Sequence, residues 1–211
     1  MGKNNNPFQT QENRKGIQMM NNKIQIDTFL DFMNVGGKPI INVDTIDWLV
    51  NNGFFVKPAA IKHHGNYTGG LFDHSMMVAQ VLVEMTQKFD IPWTRPESPY
   101  IVGMLHDVCK LDDYVDENAS DVVVMGTGSP ISKDPKWTYN PAPMFKGHGD
   151  KSVMMLSQVM TLTEEEMLCI RFHMGAYVTD DWDAFDRAIR KYQSVLFTHT
   201  ADMYASKVKD V

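Results

Sequence analysis

The sequence predicts an all-α helical bundle with a small irregular or β-hairpin insertion around residues 112–146. Apolar residues recur at helical spacing along most of the chain, and only that long segment lacks the pattern. A hydrophobic share of 43% and a length of 211 residues suffice for one sizeable core. We therefore predict one domain over residues 23–211, preceded by a polar, flexible arm over residues 1–22.

Helices are predicted in order from apolar periodicity and from signals at their ends. The first runs from Ile24 to Asn34 and ends at a Gly-Gly-Lys-Pro turn, and the second runs from Asn42 to Asn52 before Gly53. The same spacing predicts helices over residues 72–89, 100–110, 148–160, 163–173, 181–191 and 194–207. Within the insertion, residues 122–125 and 136–139 are predicted to pair as a hairpin.

Composition narrows the class of protein. No apolar run approaches the roughly 20 residues that cross a bilayer, and the polar N-terminus lacks the apolar core of a signal peptide. We therefore predict a cytoplasmic protein with no membrane partner. The net charge of −6 argues against a general polyanion binder. The two cysteines, Cys109 and Cys169, form no motif, which favours buried thiols over a disulfide.

A histidine and an aspartate, His106 and Asp107, lie side by side inside an apolar helical pattern. Helical spacing places both on one face with Lys110, and Gly103 leaves room beside them. A buried carboxylate costs several kcal/mol unless it is paired or bound to a cation. That cation is either Lys110 or a metal ion, and the doublet alone leaves both interpretations open.

Four more residues with metal-binding side chains occupy inward or glycine-flanked positions on other predicted helices: His74, His148, His173 and Asp202. Each alone is explained as a hydrogen-bonded core residue. Isolated buried histidines should not accumulate in this way, because each needs its own hydrogen-bond partner, so the whole set favours one or two shared cations. Mixed imidazole and carboxylate donors suit Mn, Fe, Zn, Co or Ni, and Mg is tolerated.

The order of these residues along the chain resembles that of the HD superfamily of metal-dependent phosphohydrolases. His74, His106-Asp107 and Asp202 follow the order of the superfamily, and the intervening His148 and His173 resemble its two-metal branch. Small HD-domain proteins of bacteria and phages share runs like those at residues 52–55, 64–75, 147–152 and 171–175. The likeness covers roughly residues 24–207 and implies an HD-type helical bundle. Residues 112–145 carry no landmark that aligns with the family.

The resemblance implies a metal-dependent phosphoric ester hydrolase with two divalent ions, chosen from Mn, Fe, Mg, Ni, Co or Zn. One ion would be held by His74, His106, Asp107 and Asp202, and Asp107 would bridge to a second ion held by His148 and His173. Lys110 takes the place of a lysine that contacts phosphate or the bridging solvent. The implied reaction is hydrolysis of a phosphomonoester or phosphodiester, in a nucleotide or at a nucleic-acid end, by a metal-bridging hydroxide.

Two residues upstream of His74 are further candidates. His64 and Tyr67 lie in an irregular glycine-rich stretch and are predicted to contact phosphate or to protonate a leaving group, unless this is a surface loop with a packed tyrosine. His199 is predicted to support the ligands rather than to bind metal. Two rival functions remain open: a two-iron oxygenase of HD type, and a non-catalytic, metal-stabilised nucleotide-binding module.

Overall fold

A computed structural model of the chain describes residues 22–62, 65–119, 131–132, 134–175 and 181–211. Over these ranges the chain is mostly helical, with two small antiparallel sheets of two strands each. The predicted helical bundle with a small β-insertion is confirmed at this level. None of the helices in these ranges is both long enough and apolar enough to cross a membrane.

The helices follow the predicted order along the chain. They are α1 (residues 22–32), α2 (Val43–Asn51), α3 (Gly70–Phe89), α4 (Ser98–Leu105), α5 (Lys110–Asp113), α6 (Gly149–Leu156), α7 (Glu164–Arg171), α8 (Trp182–Lys191) and α9 (Ser194–Tyr204), with a short π-helix at Ala205–Lys209. The predicted start of α7 is confirmed in detail, because Thr163 and Glu166 form a reciprocal capping box. The predicted arm, apart from Asn22, lies outside the described residues.

The prediction of one continuous helix through the His-Asp doublet is wrong. Helix α4 ends at Leu105, residues 106–109 form a turn, and α5 begins at Lys110. The reason is a change of hydrogen-bond pattern: Val108 donates to Leu105 at 3.4 Å, and Lys110 donates to Asp107 at 3.1 Å. These are bonds over three residues, which tighten the chain as in a 3₁₀-helix. The doublet therefore lies in a turn between two helices.

The β-insertion contains one predicted strand, and this strand pairs with one that the sequence did not predict. Strand β4 (Trp137–Tyr139) is confirmed, but its partner is β3 (Tyr114–Asp116), which follows α5 directly. The pairing is antiparallel, with Tyr114 opposite Tyr139. The expected partner, residues 122–125, lies outside the described residues. The other sheet pairs β1 (Asn34–Val35) with β2 (Lys38–Pro39) around the predicted turn.

Asp116 joins the start of this insertion to the residues that lead back to strand β4. Its buried carboxylate accepts backbone N–H groups from Ser132 at 2.6 Å, Lys136 at 2.8 Å and Asn118 at 3.0 Å. Burial alone would raise the pKa of Asp116, but these hydrogen bonds outweigh burial and lower the pKa. One ionised side chain therefore holds together both ends of the insertion.

Two glycines set how closely the helices approach. A Cβ atom at Gly103 would lie 2.3 Å from the Cα of Ala79, so α4 crosses α3 almost backbone to backbone. A Cβ atom at Gly149 would lie 2.1 Å from the carbonyl oxygen of Arg171, so the start of α6 lies directly against the end of α7. These contacts bring the His-Asp turn toward α3 and the start of α6 toward the turn after α7.

Candidate metal centre

The six predicted metal-binding side chains converge in one cluster. They are His74 on α3, His106 and Asp107 in the turn after α4, His148 at the start of α6, His173 in the turn after α7, and Asp202 on α9. Five of the six residues are buried, and the exception is His148, whose side chain is 21% exposed. Two long helices and three helix ends therefore supply the cluster, and it opens to solvent at His148.

One half of the cluster is formed by His74, His106 and Asp202. The Nε2 atom of His74 lies 3.3 Å from Nε2 of His106 and 3.1 Å from Oδ1 of Asp202. The Nε2 atom of His106 lies 3.8 Å from the same carboxylate oxygen. Two ligands that each bind one ion at about 2.1 Å are separated by about 3.0–3.4 Å at ordinary bond angles. The spacing of these three donor atoms thus fits a shared metal ion with little movement.

Asp107 lies between this half of the cluster and the other half. Its Oδ2 is 3.7 Å from Nε2 of both His74 and His106. Its Oδ1 is 2.9 Å from Nε2 of His148 and 3.3 Å from Nε2 of His173. One carboxylate therefore presents one oxygen to each pair of imidazoles. This is the arrangement that a carboxylate needs in order to bridge two cations.

The outer nitrogens of three histidines fix their tautomers. Nδ1 lies 2.9, 2.8 and 2.7 Å from a backbone carbonyl oxygen in His74, His106 and His173, the carbonyls being those of Val211, Gly103 and Ile170. Because these backbone oxygens only accept hydrogen bonds, Nδ1 carries a proton in each ring, and wherever a ring is neutral its Nε2 presents a lone pair to the cluster. Lone pairs and carboxylate oxygens facing one another repel unless a cation lies between them.

Two of the imidazole nitrogens have no hydrogen-bond partner among the described residues. These are the buried Nε2 atoms of His148 and His173, whose close approaches to Asp107 lack hydrogen-bond geometry. A buried polar atom without a partner costs about 1–3 kcal/mol. Burial, the largest effect on His106, lowers the pKa of that imidazole to about 3, so its ring is neutral near pH 7 and suited to bind metal. These buried groups could hold metal ions.

Lys110 pairs with Asp107 in this structure. Its Nζ atom lies 2.6 Å from Oδ2 of Asp107, and both side chains are buried. Burial alone would raise the pKa of Asp107, but the Lys110 ammonium opposes burial most strongly and holds the pKa well below its usual range. The carboxylate in turn keeps the pKa of Lys110 raised despite burial. Both groups are therefore charged, and Oδ1 of Asp107 still faces His148 and His173.

His199 contacts the cluster from outside, and Cys109 lies beside Asp107 and His148, with which it forms one of the groups that could hold a metal ion. Nδ1 of His199 donates to the carbonyl oxygen of His173 at 2.7 Å, which agrees with the predicted supporting position. The sequence did not indicate Cys109, whose Sγ lies 3.5 Å from Nδ1 of His148. Burial raises the pKa of this thiol well above its usual range, so the thiol is neutral. Nδ1 of His148 thus contacts a thiol, whereas Nδ1 of each of the other three cluster histidines contacts a backbone oxygen.

Two buried lysines, Lys57 and Lys151, were also not predicted from the sequence. Lys151, fully buried on α6, contacts Asp112 at 2.7 Å and Asp113 at 2.6 Å on α5. Lys57 donates to two carbonyl oxygens at the end of α5, those of Leu111 and Tyr114. The Lys151 contacts join α6 to α5, and the Lys57 contacts join the segment between α2 and α3 to α5 and the residue after it. No pattern in the sequence distinguished these two lysines from solvent-exposed ones.

His64 and Tyr67, the two candidates upstream of His74, are not placed in the cluster by the described residues. Tyr67 donates its hydroxyl hydrogen to Asp73 at 2.9 Å, and the described hydrogen bonds of Tyr67 do not reach the cluster. Burial, followed by this hydrogen bond, raises the pKa of Tyr67 to about 12, which makes it a weak general acid near neutral pH. Tyr67 is 45% exposed, so it is a surface residue rather than a packed one, and its predicted contact with phosphate stays a prediction. His64 lies outside the described residues.

Comparison with known proteins identifies no relative. No family model, curated protein sequence or solved structure matches the chain.

Proposed function

We propose that this protein is a metal-dependent phosphohydrolase with an HD-type bundle, which cleaves a phosphoester in a nucleotide or at a nucleic-acid end. The observation that carries the proposal is Asp107, with one oxygen toward His74 and His106 and the other toward His148 and His173. When bound at such a carboxylate, two divalent cations would activate a water molecule at neutral pH and neutralise charge on a phosphoryl group.

The chain's own groups have separate tasks in this reaction. Asp107 and Asp202 supply the negative charge that attracts cations into a buried site. The Nδ1 contacts of His74, His106 and His173 hold the imidazoles in the tautomer that binds metal. Lys110, already beside Asp107, would place a fixed positive charge next to the phosphoryl oxygens, where it stabilises charge that develops during cleavage.

Burial indicates the route by which substrate would enter. His148 is the one cluster ligand with a partly exposed side chain. A phosphoryl group would therefore approach from the side of α6 and the β-insertion, while α3 and α9 close the opposite side.

The experiment begins with metal analysis of the purified protein by mass spectrometry. Protein loaded with Mn is then tested on a panel of nucleotides, oligonucleotides and simple phosphoesters, in air and under argon. We expect up to two ions per chain and hydrolysis in both atmospheres, lost in EDTA and restored by Mn. A preparation of Asp107→Asn, purified in parallel, controls for contaminating phosphatases.

Two other results would replace the proposal. Turnover that requires both iron and oxygen would identify a two-iron oxygenase. Bound metal and measurable nucleotide binding without turnover of any ester would identify a non-catalytic binding module.

A further inference from the structure

Two tyrosines lead outward from the metal centre along the β-insertion. Tyr114 is the first residue after α5, and its backbone N–H donates to the carbonyl oxygen of Lys110. Its side chain is buried, and this hydrogen bond places it one helical turn after Lys110, whose ammonium pairs with Asp107.

Tyr139 continues this series to the surface. It lies opposite Tyr114 in the pairing of β3 with β4, and the two ring centroids are 5.7 Å apart at an interplanar angle of 63°. Tyr139 is 59% exposed, whereas Tyr114 is 7% exposed. The inner ring therefore supports the outer ring edge-on and holds it in place, with much of the outer residue open to solvent.

The chain after Tyr139 leads back to the open side of the cluster. Residues 140–147 connect β4 to His148, and they are fastened to α5 on the way. The side-chain amide of Asn140 donates to the carbonyl oxygen of Asp112 at 2.8 Å, and the backbone N–H of Met144 donates to the Asp112 carboxylate at 3.0 Å. Hydrogen bonds to Asp112 thus hold the segment between Tyr139 and the partly exposed His148 against α5.

We propose that Tyr139 stacks on the base of a nucleoside phosphate whose phosphoryl group lies at Asp107 and Lys110. This inference rests on the proposed function and assigns the residue that would recognise the base of its substrate. Every nucleobase has a π-face, so one exposed ring distinguishes base-bearing from base-free esters without choosing among bases. A purely structural cross-strand pair is the competing explanation, because aromatic pairs also stabilise antiparallel strands.

The test compares two substrates that differ only by the base. Adenosine 5′-monophosphate and ribose 5-phosphate are offered to the Mn-loaded wild type, Tyr139→Ala and Tyr139→Phe. We expect Tyr139→Ala to lower kcat/KM for the nucleotide by about 5- to 150-fold, the range for loss of one base–aromatic stack. Hydrolysis of ribose 5-phosphate should be unchanged. Tyr139→Phe, which keeps the ring, should resemble the wild type with both esters.

Phe89→Ala provides a matched control. Phe89 is 62% exposed and ends α3, 15 residues after His74, which places it about 22 Å along the helix from the cluster. It should affect neither substrate. Melting temperatures of all variants show whether the β-insertion remains folded. Equal losses with both esters in Tyr139→Ala, or no loss with either, would overturn the stacking role.

A binding measurement separates this inference from the proposed function. Calorimetric titration of adenosine 5′-monophosphate and ribose 5-phosphate into each variant does not require turnover. Weaker nucleotide binding by Tyr139→Ala, with unchanged ribose 5-phosphate binding, supports stacking even if no ester is hydrolysed. Failure of hydrolysis across the whole panel would then refute the phosphohydrolase alone, and equal nucleotide binding by wild type and Tyr139→Ala would refute the stacking alone.

Discussion

Replacing Asp107 by asparagine removes the central negative charge of the cluster with little change of shape. The carboxylate lies 2.6 Å from the Lys110 ammonium, and the two side chains are 3% and 8% exposed. Removing one partner of a buried ion pair leaves the other charge uncompensated and costs about 3–5 kcal/mol. For a chain of this length, each kcal/mol lowers the melting temperature by about 2–4 °C. We therefore expect Asp107→Asn to melt about 6–20 °C lower in EDTA, and to bind neither metal ion.

The assay is thermal unfolding followed by circular dichroism, together with metal content by mass spectrometry. Asp150→Asn is the matched control, because Asp150 also forms an ion pair, with Arg171 at 2.8 Å, but its side chain is 52% exposed. Exposed pairs contribute only about 0–1 kcal/mol, so this variant should keep its metal and nearly its full stability. The double variant Asp107→Asn with Lys110→Met should recover stability but not metal, because no stranded ammonium remains. If Asp107→Asn kept both ions and melted with the wild type, the bridging role would be refuted.

Three further predictions test other parts of the structure. His148→Ala or His173→Ala should reduce bound metal from two ions to one and lower turnover by about 100-fold or more, measured as metal stoichiometry and kcat on one preparation. Gly149→Ala should destabilise the fold by about 1–3 kcal/mol, measured by urea unfolding, because its Cβ would lie 2.1 Å from the Arg171 carbonyl oxygen. Burial lowers the pKa of Lys57 from 10.5 to about 8, so the unfolded chain binds more protons between these values. The free energy of unfolding of wild type relative to Lys57→Met should therefore rise by about 2 kcal/mol from pH 8 to pH 10, and a flat difference would contradict the lowered pKa.

Helix positions could be predicted because each helix buries one face, and burial imposes the 3.6-residue period on the sequence. The break at the doublet could not be predicted in the same way. Residues on both sides of it, Leu105 and Val108, are fully buried, so the apolar pattern continues through the turn. Strand β3 was missed for another reason, because it follows α5 directly with no turn between them, and its pairing with β4 joins residues distant in sequence.

The donor atoms of the cluster could be predicted because few side chains bind cations, and histidine and aspartate are conspicuous on apolar faces. The groups that hold the donors could not be predicted. Three imidazoles are oriented by the carbonyl oxygens of Val211, Gly103 and Ile170, and every residue has a carbonyl oxygen whatever its side chain. Which of them lies against an imidazole is decided only by the packed fold.

The two halves of the cluster differ in burial, which is consistent with different roles for them in the proposed reaction. His74 and Asp202 project from the interiors of α3 and α9, two helices that pack against each other, and His106 is also fully buried. This half can keep its geometry when substrate arrives. His148 instead begins a helix and is partly exposed, so the second half can meet solvent and substrate. A carboxylate shared between a closed half and an open half would hold one cation as part of the fold and present the other to the phosphoester. Asp107, in a turn between two helices, presents one carboxylate oxygen to each half of the cluster.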